Sequence, residues 1–183
     1  MFEDNNKNLF LYILKSASSF HMTYQSLETL IQNNSDESPY IIPSIVNSTF
    51  AIELYLKAIL TYKHISYKTK NKGHNLKYLF GLVPIEVQNI IKSKYESETK
   101  KSHNLCLYNG LQEYLDSEYN SFEMWRYIFD DWGEKRKYLF PDNETQILLN
   151  ILKMECDKIK GGMLNDKFKY DEWKWQLYSI NRI

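Results

Sequence analysis

Two charged residues, Glu53 and Lys57, interrupt the longest apolar run of the chain, which extends from Phe50 to Leu60. If this run is helical, a spacing of four residues with the acid first lets the two side chains pair along the helix. Such a pair can shield itself at the edge of a core, because partly buried charges are normally paired. Alternatively, it can line a groove between helices and contact a ligand or a second subunit.

The segment between Glu53 and Glu86 has no acidic residue and is rich in lysine. Its lysines are Lys57, Lys63, Lys68, Lys70, Lys72 and Lys77. The rings interleaved with them are Tyr62, His64, Tyr67, His74 and Tyr78. Cations beside stacking rings are what a surface for single-stranded RNA or a nucleotide requires. The alternative is a solvated, lysine-rich loop without a ligand.

If the segment binds such a ligand, its phosphates are expected at the four loop lysines, Lys63, Lys68, Lys70 and Lys72. A base would then stack on Tyr67 or on His74. Because Lys plus Arg equals Asp plus Glu, at 23 each, bulk positive charge cannot attract a phosphate backbone to this chain. Any nucleic-acid site must be a local patch.

Arg126 is a further candidate because arginine is scarce here, with three in the chain. On a helix, Glu123 at i−3 and Asp130 at i+4 could hold it in a surface ion-pair network. A guanidinium can equally anchor a phosphate or a partner's carboxylate, which it binds in a fork. Both interpretations fit the sequence.

The signatures of metal and cofactor sites are absent. The four histidines, His21, His64, His74 and His103, lie in separate segments without a ligand spacing. Cys106 and Cys156 are far apart and are predicted to be reduced, buried thiols. There is no glycine-rich phosphate loop and no Gly-x-Ser-x-Gly sequence. The sequence therefore predicts neither a metal nor a cofactor.

Helical periodicity organises the first half of the chain. Apolar residues at spacings of three and four predict a long first helix between Leu9 and Ile31. A second helix should begin near residue 40, with Pro39 and Pro43 in its first turn. Because this helix is apolar nearly all round, it should lie at the centre of a bundle. A short apolar turn follows at residues 76–80, and Pro84 opens the next helix.

In the second half, spacings of three and four predict a long helix from Leu107 to Trp132, which Gly133 would end. The last clear helix should run from Thr145 to Lys160 and stop at Gly161 and Gly162. No strand pairs are indicated. The predicted fold is an all-α bundle of five or six helices with an aromatic C-terminal tail.

The length of 183 residues suits one domain. We expect the bundle to occupy residues 1–162, with residues 163–183 forming an arm that packs on it or on a partner. The acidic start of the chain does not look like a secretory signal, and no apolar run approaches the roughly 20 residues that cross a bilayer. The sequence thus predicts a cytoplasmic protein without membrane contact.

Three segments of the chain resemble HEPN-type domains: residues 51–60 (AIELYLKAIL), 73–80 (GHNLKYLF) and 125–127 (WRY). In such domains an Ala-x-Glu-x-x-Leu-Lys-Ala helix precedes a Gly-His-x-Leu turn and, later, a helix that carries an arginine. The resemblance covers roughly residues 8–160. It implies a helical bundle that often dimerises and acts in toxin–antitoxin pairs, antiviral defence or RNA processing, sometimes with an operon-encoded protein partner.

Catalytic HEPN domains are metal-independent ribonucleases with an Arg-x4–6-His motif. No histidine follows any arginine at that spacing here, and Asp130 and Asp131 stand after Arg126 instead. Aspartates are poorly suited to moving protons near neutral pH. The sequence therefore favours a non-catalytic module that binds RNA or a nucleotide. A ribonuclease with a rearranged site, using His74 or His103, and a dimeric interaction scaffold are the alternatives.

The aromatic content supports the expectation of a homodimer that the resemblance raises. Trp125, Phe129, Trp132 and the Trp-rich tail offer more aromatic surface than one small bundle readily buries.

Overall fold

A computed structural model describes residues 2–33, 39–68, 72–102, 108, 110–117 and 143–165 of the chain. These ranges contain six helices and no strand. The helices are α1 (Phe2–Gln32), α2 (Ile41–Tyr62), α3 (Leu76–Leu82), α4 (Ile85–Lys101), α5 (Leu111–Ser117) and α6 (Asn143–Asn165). The prediction of an all-α bundle of five or six helices is thus confirmed.

Helix α2 is the centre of the bundle, as its apolar sequence predicts. It packs along α1 and also contacts α3 and α6, while α4 packs on α6. Its residues 51–61 are buried except for Leu54 and Lys57, which are partly buried. A helix that is covered on several sides has no solvent-exposed face on which charged side chains could be hydrated. Each charged residue in it must therefore find a partner within the protein.

Several predicted helix limits need correction. Glycines 161 and 162 do not end the last helix, which continues to Asn165. Neither glycine has a positive φ, and Met163 just beyond them is buried in the core. Packing of that side chain outweighs the roughly 1 kcal/mol by which each glycine disfavours a helix. At the start of α2, Pro43 lies in the first turn as predicted, but Pro39 precedes the helix.

Of the helix predicted from Leu107 to Trp132, the structure describes α5, Leu111–Ser117. Leu107 itself and the predicted continuation beyond Ser117 lie outside the described residues. Lys70, His103, Cys106, Arg126 and residues 166–183 also lie outside the described residues.

Cys156 is buried and is a free thiol, as predicted. No helix in the described ranges combines the length and the hydropathy needed to span a membrane.

A hydrogen-bonded histidine lies inside the bundle, where α1, α2 and α6 meet. The amide nitrogen of Gln146 lies 3.3 Å from Nε2 of buried His21, and His21 Nδ1 lies 3.2 Å from the Tyr55 hydroxyl. Because the amide nitrogen donates, Nε2 accepts and Nδ1 carries the proton of a neutral ring. Burial, together with the charge of Lys153, lowers the pKa of His21 from 6.5 to about 4. Burial likewise raises the pKa of Tyr55 to about 12.

We predict that this buried imidazole makes the fold sensitive to acid. In the unfolded chain His21 binds a proton below its ordinary pKa of 6.5, whereas the folded protein resists protonation until about 4. Stability is therefore complete above 6.5 and should fall by up to about 3 kcal/mol as the pH drops through this window. Urea unfolding at a series of pH values measures the slope.

The variant His21→Gln, which cannot titrate, should show a flatter slope between these pH values, whereas the exposed-site control His64→Asn should keep the wild-type slope. Equal slopes in His21→Gln and wild type would refute the assignment of the acid sensitivity to this residue.

Candidate functional site

A buried carboxylate joins the two parts of the chain that the sequence singles out. The Glu53 side chain has no exposed surface. Its Oε1 accepts from Lys57 Nζ at 2.6 Å, and both of its oxygens face His74 Nδ1, at 3.0 and 3.1 Å. Lys57 is 15% exposed and His74 is 51% exposed. Glu53 thus holds one nearly buried cation and one half-exposed imidazole.

The chain returns to Glu53 because α2 ends in a tight reversal. The amide of Ile65 donates to the Leu60 carbonyl at 2.9 Å, and that of His64 donates to Thr61 at 3.1 Å. His64 has a φ of 57°, so these are the bonds of a Schellman motif with a histidine at the left-handed position that glycine usually takes. Asn6 of α1 contacts the His64 ring at 2.6 Å. The turn directs the following residues back along α2.

We name residues 63–75, which connect α2 to α3, the strap; its residues 69–71 are not described. At its far end, the Asn75 side chain accepts from the Tyr78 amide at 2.7 Å and caps the N-terminus of α3. Leu76 and Leu79 then anchor α3 in the core. His74, one residue before the cap, is thereby held over Glu53.

Tyr67 fixes the middle of the strap. Its ring packs against the core, its hydroxyl lies 3.4 Å from Thr61 Oγ1, and Lys57 Nζ lies 5.7 Å from its ring centroid. Because Glu53, Lys57 and Thr61 are spaced by four, they form one stripe on α2. The strap therefore covers the polar stripe in the second half of α2.

The lysines around this stripe differ in availability. Lys63, Lys68 and Lys72 are exposed. Lys63 Nζ lies 5.6 Å from the Tyr62 ring centroid and Lys72 Nζ lies 5.7 Å from that of Tyr78. Lys77 instead pairs with Asp116 of α5 at 2.7 Å, and hydrogen bonds from Lys77 and Gln112 lower the pKa of Asp116. Residues 54–85 include no acidic residue, but Asp116 of α5 lies beside them and pairs with Lys77.

The structure thus brings together part of the predicted site. Glu53, Lys57 and His74 are in direct contact, and the predicted ion pair between the first two residues is confirmed. Lys63, Lys68 and Lys72 lie along the strap, and nothing is described of Lys70 or Arg126. The sequence interpretation missed the contact between Glu53 and His74 and the role of Thr61. A buried carboxylate has about four acceptor positions. Because Lys57 alone does not fill them, the sequence indicated that Glu53 needed a further hydrogen-bond donor.

Chemically, the arrangement can orient a histidine and present it to a ligand. A carboxylate that holds Nδ1 fixes the ring, so that the opposite nitrogen, Nε2, is directed to other chemistry. In the described ranges no three His, Cys, Asp or Glu side chains are grouped so as to hold a metal ion. The chemistry that these residues support by themselves is anion binding and proton transfer.

Comparison of the chain with protein-family models, with curated proteins and with solved structures finds no match. The likeness to HEPN-type domains therefore depends on the three sequence segments alone.

We predict that removing Lys57 is costly because it leaves Glu53 with less compensation for its buried charge. Lys57→Met should lower the free energy of unfolding by about 3 kcal/mol, with His74 limiting the loss. The matched control is Lys153→Met, which removes a pair with Asp157 of the same length, 2.6 Å, and spacing, but with both side chains 47% exposed. That change should cost within about 0.5 kcal/mol.

The double variant Glu53→Met with Lys57→Met separates charge from packing, since it removes both members of the ion pair and keeps the apolar volume. It should be more stable than Lys57→Met alone in denaturant unfolding. A double variant that is no more stable than the single one would show that the loss arises from packing of the lysine stem.

Proposed function

We propose that this chain is a HEPN-like helical module that binds RNA or a nucleotide, without cleaving it, in bacterial stress, toxin–antitoxin or antiviral defence. In this proposal the module acts in the cytoplasm as a homodimer, with an operon-encoded protein as a candidate partner. The observation that carries the proposal is the half-exposed His74, held by buried Glu53 beside a strap of exposed lysines. The AIELYLKAIL and GHNLKYLF segments, in which the resemblance is strongest, supply these residues.

The strap offers the two kinds of contact that single strands use. Exposed Lys63, Lys68 and Lys72 can neutralise phosphates. Half-exposed His74 can provide a ring face for stacking, which is worth roughly 1–3 kcal/mol per base in such proteins. The ring of Tyr67, the other residue predicted to stack, packs against the core and fixes the strap. Because Glu53 is wholly buried and paired with Lys57, its negative charge does not repel an approaching phosphate.

We predict weak binding that depends strongly on salt, because the net charge of the chain is zero and only a local patch attracts phosphates. A fluorescent single-stranded RNA should lose affinity by about tenfold or more when Lys63, Lys68, Lys70 and Lys72 are changed to Gln together. Fluorescence anisotropy across a salt titration measures both the affinity and the salt slope, which should become shallower in the variant.

The control changes Lys15, Lys100, Lys101 and Lys153 to Gln, which removes the same charge from exposed positions on other elements. Its affinity should stay close to that of the wild type. Equal losses in both variants would point to net charge rather than the strap. Wild-type protein that binds neither this RNA nor a nucleotide at low salt would refute the proposed function.

A metal-independent ribonuclease is the second candidate, and the Glu53–His74 contact favours it. A carboxylate that holds the Nδ1 of a histidine is the arrangement by which triads prepare Nε2 as a general base. Cleavage also needs a group that protonates the leaving oxygen, and His103, the other histidine considered for this role, lies outside the described residues. The proposal of binding without cleavage therefore rests on the sequence, in which no histidine follows Arg126 at the ribonuclease spacing.

We predict that labelled single-stranded RNA stays intact when incubated with the protein in the presence of a chelator, as gel electrophoresis would show. Cleavage that persists in chelator and disappears in both His74→Ala and Glu53→Gln would replace the binding proposal with the ribonuclease. Cleavage that survives both changes would instead indicate a contaminant or a different site.

A further inference from the structure

Lys77 continues the series of exposed lysines just beyond the end of the strap. It lies in the first turn of α3, two residues after the Asn75 cap, and its side chain is 55% exposed. Lys72, the last lysine of the strap, has its Nζ 5.7 Å from the ring centroid of Tyr78, which follows Lys77 in the chain. Lys72 and Lys77 therefore belong to the same part of the surface, where the strap meets α3.

The carboxylate of Asp116, on α5, is the partner of Lys77 in the structure. Its Oδ1 lies 2.7 Å from Lys77 Nζ and also accepts from Gln112 Nε2 at 3.0 Å. Gln112 lies one turn earlier on the same helix, and the buried side chains of Leu111 and Leu115 anchor that helix in the core. Asp116 thus places a negative charge beside a lysine of the acid-free segment.

This ion pair can exchange its carboxylate for a phosphate. Both side chains are about half exposed, 55% for Lys77 and 46% for Asp116. Pairs of this kind are screened by water and salt, and they hold their members weakly. The ammonium group carries three donors on a flexible stem, so it can turn from a carboxylate oxygen to a phosphate oxygen without a change in the backbone.

The other ion pair of this region is not open to such an exchange. Lys57 is 15% exposed, and its partner Glu53 has no exposed surface. Withdrawing Lys57 from that pair would leave a buried charge with less compensation, which is costly. Of the two lysines in residues 54–85 whose ion pairs lie in the described part of the chain, Lys77 is therefore the one that a ligand can recruit.

We propose that Lys77 is a further phosphate-binding residue beside the strap and that Asp116 competes with the phosphate of the ligand for it. The inference deepens the proposed binding of RNA or a nucleotide and rests on it. Asp116 weakens binding in two ways, because it occupies the ammonium group that a phosphate would use and because its own charge repels the phosphate. It thereby limits the affinity that the lysines around it could otherwise reach.

The first test removes the charge of Asp116 and keeps its shape. The variant Asp116→Asn retains an oxygen that can accept from Gln112. It should bind the fluorescent single-stranded RNA about three- to tenfold more tightly than the wild type at low salt. A plot of log affinity against log salt concentration should become steeper by about 0.7, the value for one more phosphate contact on a single strand. Fluorescence anisotropy measures both quantities.

The matched control is Asp157→Asn, which changes the net charge by the same amount. It frees Lys153 of α6 from a pair of 2.6 Å in which both side chains are 47% exposed. Its affinity for the RNA should stay within about twofold of the wild type, because a distant surface charge is largely screened. Circular dichroism confirms that each variant is folded.

The substitution Lys77→Gln, made in the wild type and in Asp116→Asn, separates a phosphate contact from simple neutralisation. Because Asp116 competes for Lys77, the loss of Lys77 should reduce the affinity more in the Asp116→Asn background than in the wild type. Equal losses would mean that the two charges act independently. A loss confined to the wild type would mean that Lys77 merely neutralises Asp116. Either result would overturn the inference and leave RNA binding by the strap in place.

If the wild type does not bind the RNA, the same variants are titrated with a fluorescent nucleotide. For either probe, an Asp116→Asn variant that binds no more tightly than Asp157→Asn would contradict the competition by Asp116. Absence of binding of both probes to the wild type would refute the proposed function itself, and this inference with it.

Discussion

The carboxylate of Glu53 has no contact with solvent, and the free energy lost on removing this charge from water must be offset by donors inside the protein. Helix α2 supplies one donor from its own next turn, Lys57. The second donor, His74, comes from a segment that is distant in sequence and has to be folded back over the helix. This requirement is consistent with the reversal after α2, with the packing of Tyr67 against the core and with the Asn75 cap at the start of α3.

His21 and His74, whose side chains both contact α2, differ in their partners and in their exposure. His21 is buried against the Tyr55 hydroxyl and the Gln146 amide, which favour a neutral ring, and burial lowers its pKa to about 4. His74 is half exposed, and its Nδ1 contacts the buried carboxylate of Glu53. The same type of side chain thus supports the core in one place and lies half exposed against a buried carboxylate in the other.

Periodicity in the sequence predicted the helical class, the central position of α2 and the pairing of Glu53 with Lys57, because these depend on local spacing. The contact with His74 was not predicted, since it depends on how far the chain turns after α2. His64 takes the left-handed conformation there without the usual glycine, so no sequence signal marked the reversal. Glycines 161 and 162 predicted the end of α6 too early, because the burial of Met163 favours continuing the helix beyond them.

The central claim, that Glu53 fixes His74, can be tested most directly by the tautomer of the His74 ring. Long-range 1H–15N spectra of the histidine rings at about pH 8, where imidazoles are normally neutral, distinguish a proton on Nδ1 from one on Nε2, and His74→Gln assigns the signal. The geometry predicts the Nδ1–H form in the wild type and its loss in Glu53→Gln. A wild-type ring protonated on Nε2, unchanged by Glu53→Gln, would contradict the account.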